Sequence, residues 1–93
     1  MVYVDNFYVT GMTYRGMKMC HMIADTREEL LAMVDKIGVN RKWIQSFDTP
    51  REHFDICLTK RALAVKHGAI ELGFRELAEK TRTRMYEGKQ KIY

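Results

Sequence analysis

The start of the chain crowds Val2, Tyr3, Val4, Phe7, Tyr8 and Val9 around Asp5 and Asn6. β-Branched and aromatic residues at this density predict a strand over 2–9. Thr10-Gly11 and Arg15-Gly16 then mark a loop that carries Tyr14 and Arg15. Met17 to Ala24 is apolar on both faces apart from Lys18 and His21. Two apolar faces suit a central strand covered on both sides, as in parallel or mixed sheets. Thr26 with Glu29 fits a capping box, and Leu30, Met33, Val34 and Ile37 recur at helical spacing. Lys36 in the last turn and Gly38 just beyond it complete a helix over 26–37.

The second half is less regular. Arg41 to Phe47, with Trp43, Ile44 and Phe47, reads as a short strand, and Asp48-Thr49-Pro50 turns the chain. His53 to Leu58 fits either a strand end or a helix start. Thr59 would cap a helix reaching Lys66 or His67, with Gly68 as its stop. Ala69 to Leu72 is a short strand. From Gly73, the spacing of Phe74, Leu77, Ala78 and Met85 predicts a last helix to about Tyr86, ended by Gly88. The order β-β-α-β-α-β-α implies a small single-domain α/β sandwich with a mixed, partly parallel sheet over 1–88, followed by a basic tail over 89–93.

Composition narrows the class. With 93 residues, 46% hydrophobic and 30% charged, the chain fits one globular domain. No apolar run approaches the roughly 20 residues of a membrane span, and Asp5 and Asn6 break any secretory leader. Cys20 and Cys57 lack partners at metal-ligand spacing and read as small apolar side chains in a reducing, cytoplasmic compartment; counting alone leaves a Cys20–Cys57 disulfide open. A domain of this size buries only about 60–65% of its unfolded surface, so a homodimer is expected. The net charge of +4 resides entirely in residues 49–93, much of it between Lys80 and Lys91. That basic end, including Arg82 and Arg84, offers a nucleic-acid surface, but no aromatic ladder is interleaved with its charges, so a solvated helix face is the preferred reading.

Polar residues in apolar company carry the candidate chemistry. His21 inside an apolar strand needs a hydrogen-bond partner. Asp25 ends that strand beside a helix N-terminus, and ligands of open α/β sheets sit beyond such strand ends. Trp43 and Gln45, two apart on a strand, would share a face, one to stack on a planar ring and the other to read its edge. His53 and Asp55 face the same way in an extended segment and can orient each other for proton transfer. Lys60-Arg61 near a helix start is explained by a nearby acid or a bound phosphate. His21, Asp25, His53 and Asp55 are the reasonable metal set. Their spacing matches no standard motif, and His21 and Asp25 would lie roughly 13 Å apart along a strand, so neither metal nor cofactor is expected. No nucleophile elbow, Walker A loop or dinucleotide fingerprint occurs.

The blocks Val2-Tyr3-Val4-Asp5-Asn6, Met19-Cys20-His21-Met22-Ile23-Ala24-Asp25, Trp43-x-Gln45, His53-Phe54-Asp55-Ile56, Lys60-Arg61-Ala62 and Gly68-Ala69 resemble a family of small bacterial and phage proteins catalogued only as a domain of unknown function. The resemblance covers about residues 2 to 72. Members of that family usually carry Tyr where this chain has Phe54, so a phenol hydroxyl is missing here. The resemblance implies no activity. It places His21, Asp25, Trp43, Gln45, His53, Asp55, Lys60 and Arg61 in shared blocks, and with Tyr14 and Arg15 these are the expected ligand residues. An aromatic ring, an amide, imidazoles and cations together suit a phosphate-bearing, nucleotide-like molecule. By analogy with phage proteins that withhold host nucleotide signals, binding without turnover is the leading expectation. A phosphate-ester or nucleotide hydrolase using His53 and Asp55 comes second, and a nucleic-acid module third.

Overall fold

The structure is a computed structural model and describes residues 1–11 and 13–91, with side chains as far as Thr83. Strand β1 (Val2–Val4) leads through a 3-10 turn at Phe7–Thr10 to strands β2 (Thr13–Tyr14) and β3 (Met17–Ala24). Helix α1 (Arg27–Ile37) follows, then a 3-10 turn at Arg41–Trp43, strand β4 (Phe54–Cys57) and helix α2 (Leu58–Lys66). Strand β5 (Ile70–Glu71) and helix α3 (Phe74–Lys91) complete the described chain.

The five strands form one mixed sheet. β3 pairs antiparallel with β1, β2 and β4, while β1 pairs parallel with β5. The doubly apolar pattern of Met17–Ala24 is thus explained, because β3 is the central strand. Val2, Val4, Cys20, Met22, Phe54 and Ile56 meet the apolar stripe of α1 and Ala64 of α2 in the main core. The alternate positions Tyr3 and Ile23 meet Leu77 of α3 in a second cluster. The sheet is therefore the middle layer of an α/β sandwich, with α1 and α2 on one face and α3 on the other. Period-two alternation divides β1 and β3 between the two cores.

Local signals account for much of this. Thr26 Oγ1 accepts from Glu29 N at 3.2 Å, and Gly38 ends α1 with a left-handed φ of 76°. Arg15 and Gly16 both take positive φ in the two-residue turn joining β2 to β3, the geometry of a tight hairpin.

Other segments depart from expectation. Arg41 to Phe47 is not a strand. Asn40 Oδ1 accepts from Lys42 N at 2.9 Å and starts a 3-10 turn, a local bond that wins over extended pairing. Only Gln45 pairs in β fashion, in a single bridge to His53. Trp43 and Gln45 therefore do not share a strand face. Thr59 does not cap α2, because β4 runs straight into the helix and Cys57 takes the N-cap place without a side-chain bond. The last helix continues past Tyr86 to Lys91. The side chains of Arg84, Met85, Lys89 and Lys91, part of the expected apolar stripe and basic end, lie outside the described residues.

Both cysteines are free. Cys20 belongs to the main core, whereas Cys57 alternates with Phe54 and Ile56 and takes the opposite face, so the two thiols cannot meet. Among the described residues no helix is long and apolar enough to cross a membrane.

Candidate functional site

Sheet register assembles a polar cluster on the face that carries α3. His21 of β3 stands directly opposite Asp55 of β4. His53 precedes Asp55 by two and projects to the same side. Asp5 continues the β1 pairing by one residue, its N–H donating to His21 O at 3.1 Å. The bridge to His53 brings in Gln45.

Each member is held from behind. Asp5 is buried, with 1% of its surface exposed. Its Oδ1 accepts from His21 N at 2.8 Å and Phe7 N at 3.1 Å, and its Oδ2 lies 2.8 Å from His21 Nδ1. A carboxylate only accepts, so Nδ1 of His21 carries the proton and Nε2 faces outward. His53 Nδ1 donates to the Arg51 carbonyl at 2.8 Å, which turns its Nε2 outward too. Gln45 Nε2 donates to Asp55 Oδ2 at 2.7 Å. Asp55 Oδ1 is left buried without a hydrogen bond, 3.4 Å from His53 Nε2 and 3.7 Å from His21 Nε2.

Electrostatics follow from this packing. Interaction with the Asp55 carboxylate raises the His53 pKa above its ordinary value, against a smaller opposing effect of burial. Burial pushes the Asp55 carboxyl up, but His53, Gln45 and the charges of both imidazoles together hold it below its ordinary value. One ring nitrogen each of His21 and His53 and an Asp55 oxygen lie within 4.8 Å of one another, the clustering of a candidate ion site.

The two histidines floor a groove of about 550 Å³ between the sheet and α3. Asp5, Phe7, Ile23 and Arg51 line the sheet side, while Phe74, Leu77, Ala78, Thr81 and Arg82 line the helix side. Phe7 stacks on Phe74 with centroids 5.6 Å apart and leans on the His21 ring at 4.8 Å. The main chain of Phe74 is fixed by Asn6, whose Oδ1 accepts from Phe74 N at 2.8 Å and caps the start of α3.

His21, Gln45, His53 and Asp55 thus meet, and the other expected ligand residues do not join them. Tyr14 and Arg15 sit on the exposed β2–β3 hairpin, with Arg15 over the Tyr14 ring. Asp25 ion-pairs with the Met1 amine at 3.4 Å and Lys80 at 3.8 Å and accepts from Tyr3 Oη at 3.1 Å. Trp43 is 59% exposed and carries Lys42 over its ring. Lys60, on α2, directs its ammonium toward Gly38. Arg61 donates from Nε to the Asp5 carbonyl and from Nη1 to Glu71, each at 2.8 Å, so it braces Asp5 and does not line the groove.

Sequence reasoning missed Asp5, Phe7, Arg51 and Phe74, and gave Arg82 only to the nucleic-acid surface. The available signal was the acid breaking an apolar strand, one residue after Val4. Only register could pair it with His21.

A family model described as "Protein of unknown function (DUF4031)" matches residues 2–84, from β1 well into α3. No curated protein and no solved structure matches the chain.

Proposed function

This chain belongs to the DUF4031 family, and we propose that it binds a small phosphate-bearing, nucleotide-like anion in the groove between the sheet and α3. One observation carries the reading. The groove joins an aromatic wall, Phe7 and Phe74, to two arginines, Arg51 and Arg82, above two outward-facing imidazole nitrogens. Its volume lies within the range of about 300–1,000 Å³ typical of small-molecule pockets. Arg51 supplies the cation best placed for a phosphate, because its guanidinium makes no ion pair among the described residues. Arg82 is paired with Glu79 on the same helix and would exchange that partner for the ligand.

On this reading the chain is a cytoplasmic, homodimeric holder of a nucleotide signal, of use to a phage or a bacterium that withholds it. Val9, Tyr14, Met17 and Phe47 are exposed apolar residues from which a dimer would draw its contact, which light scattering would detect. Hydrolysis of the bound ester is the second reading, favoured by the His53–Asp55 pair beside the groove.

Calorimetric titration with adenosine 5′-monophosphate and inorganic phosphate, in the presence of chelator, tests the binding reading. Arg51→Ala should weaken nucleotide affinity about tenfold, the loss of one charge-assisted contact of roughly 1.4 kcal/mol, with the melting temperature unchanged. Wild-type protein without measurable affinity for either probe would overturn it. Release of phosphate by wild type but not by His53→Ala would move the conclusion to hydrolysis.

A further inference from the structure

We propose that His21, His53 and Asp55 form a binding site for one divalent first-row transition ion, with zinc the simplest occupant. This goes beyond the anion groove and does not depend on it.

The three outward atoms are a common donor set for such ions, two imidazole nitrogens and one carboxylate oxygen. Bonds of about 2.0–2.1 Å arranged tetrahedrally set neighbouring donors about 3.3 Å apart. Asp55 Oδ1 stands 3.4 Å from the His53 Nε2 and 3.7 Å from the His21 Nε2, and one ligand atom from each of the three residues lies within 4.8 Å of the others. An imidazole hydrogen-bonded to a carboxylate closes to about 2.7–2.9 Å, as His21 Nδ1 does on Asp5 at 2.8 Å. Neither Nε2 closes on Asp55 in that way, and Asp55 Oδ1 stays buried with no hydrogen bond. Leaving such an oxygen unsatisfied is costly. A cation between the three atoms removes the cost.

The outer partners support the same assignment. In protein metal sites a ligating histidine generally gives its other N–H to a carboxylate or a backbone carbonyl. His21 does the first through Asp5, and His53 the second through Arg51. The oxygen of Asp55 not aimed at the site is held by Gln45. Three protein ligands leave a coordination position open, and the histidines border the groove from which water or an anion could fill it. Charge balances as well. Two neutral imidazoles, the Asp55 carboxylate and the Asp5 carboxylate behind His21 together offset a dication.

Chelator-treated wild-type protein titrated with Zn²⁺ alone should bind one ion per chain, and Co²⁺ should give visible d–d bands. His21→Ala, His53→Ala and Asp55→Asn should each abolish this, while His67→Ala, which alters a histidine beyond α2, should leave it intact. Gln45→Ala should weaken binding about tenfold through lost orientation of Asp55. Should the ligand variants fail to fold, ¹H–¹⁵N spectra of wild-type side chains decide. Zn²⁺ should shift the Nε2 resonances of His21 and His53 and leave His67 in place. Wild type that takes up no ion, uptake unchanged in a folded His21→Ala/His53→Ala double variant, or a shift confined to His67 would overturn the proposal. Neither measurement includes nucleotide, so this site and the anion groove can fail separately.

Discussion

Asp55 and His53 make the stability of the metal-free protein depend on pH, with opposite signs. His53 titrates above its ordinary 6.5 when folded, so the folded state holds that proton more tightly than the unfolded state. Its contribution is complete below 6.5 and disappears as pH rises through the raised folded value. Asp55 titrates below its ordinary 3.8, so its contribution is present above that value and disappears as pH falls through the lowered one. Both act together between about pH 4 and 6.5. Asp55→Asn should therefore cost most melting temperature in that window, with the deficit shrinking past neutrality. Thermal melts across a pH series in chelator would check it. The thiols differ for a related reason. Burial pushes the Cys20 thiol up to about 12, while Cys57 is only partly buried. A thiolate-specific reagent should label Cys57 in the native protein and reach Cys20 only after unfolding.

At the scale of elements, short polar anchors decide where loops and helices stop. Arg27 opens α1, where a cation opposes the helix dipole. It stays because Glu52, 4% exposed, takes its Nε and Nη2 in a fork at 2.8 to 3.1 Å, with Asp48 added at 3.0 Å. Glu52 also accepts from Asp48 N at 2.8 Å, which steadies a loop holding Ser46 and Asp48 at positive φ. Arg27→Ala should speed amide exchange across residues 44–53, the segment bearing Gln45, Arg51 and His53, while β1 and β3 stay protected. Asn6→Ala should cost about 1 kcal/mol by uncapping α3, which lowers the melting temperature by about 4–8 °C in a domain of this size. Helix α1 was legible from sequence because its cap, stripe and stop are all local. The Arg41–Phe47 segment was not. Trp43, Gln45 and Phe47 alternate as a strand would, but Asn40 closes a local turn first, and only Gln45 finds a strand neighbour.

At the scale of the molecule, the layer order was legible and the contact map of the site was not. Runs that are apolar on both faces, interleaved with amphipathic helices, imply a covered mixed sheet, and the fold has one. The shared direction of His53 and Asp55 follows from their spacing of two. That His21 would face Asp55, and Asp5 would face His21, depends on which strands neighbour β3. Such pairings join residues far apart in sequence, and nothing near either residue encodes them. The same reason set Asp25, Trp43 and Lys60 apart from the site, since nearness within a motif says little about nearness across a sheet.

The parallel pairing of Tyr3 with Ile70 bears on how the protein is made. At about 5–20 residues per second, a ribosome needs on the order of 3–13 s between delivering the first of these residues and the second. For that interval β1 can dock only on its antiparallel neighbour, with its other border bare. A strand border that waits this long is open to pairing with the backbone of other chains until β5 arrives.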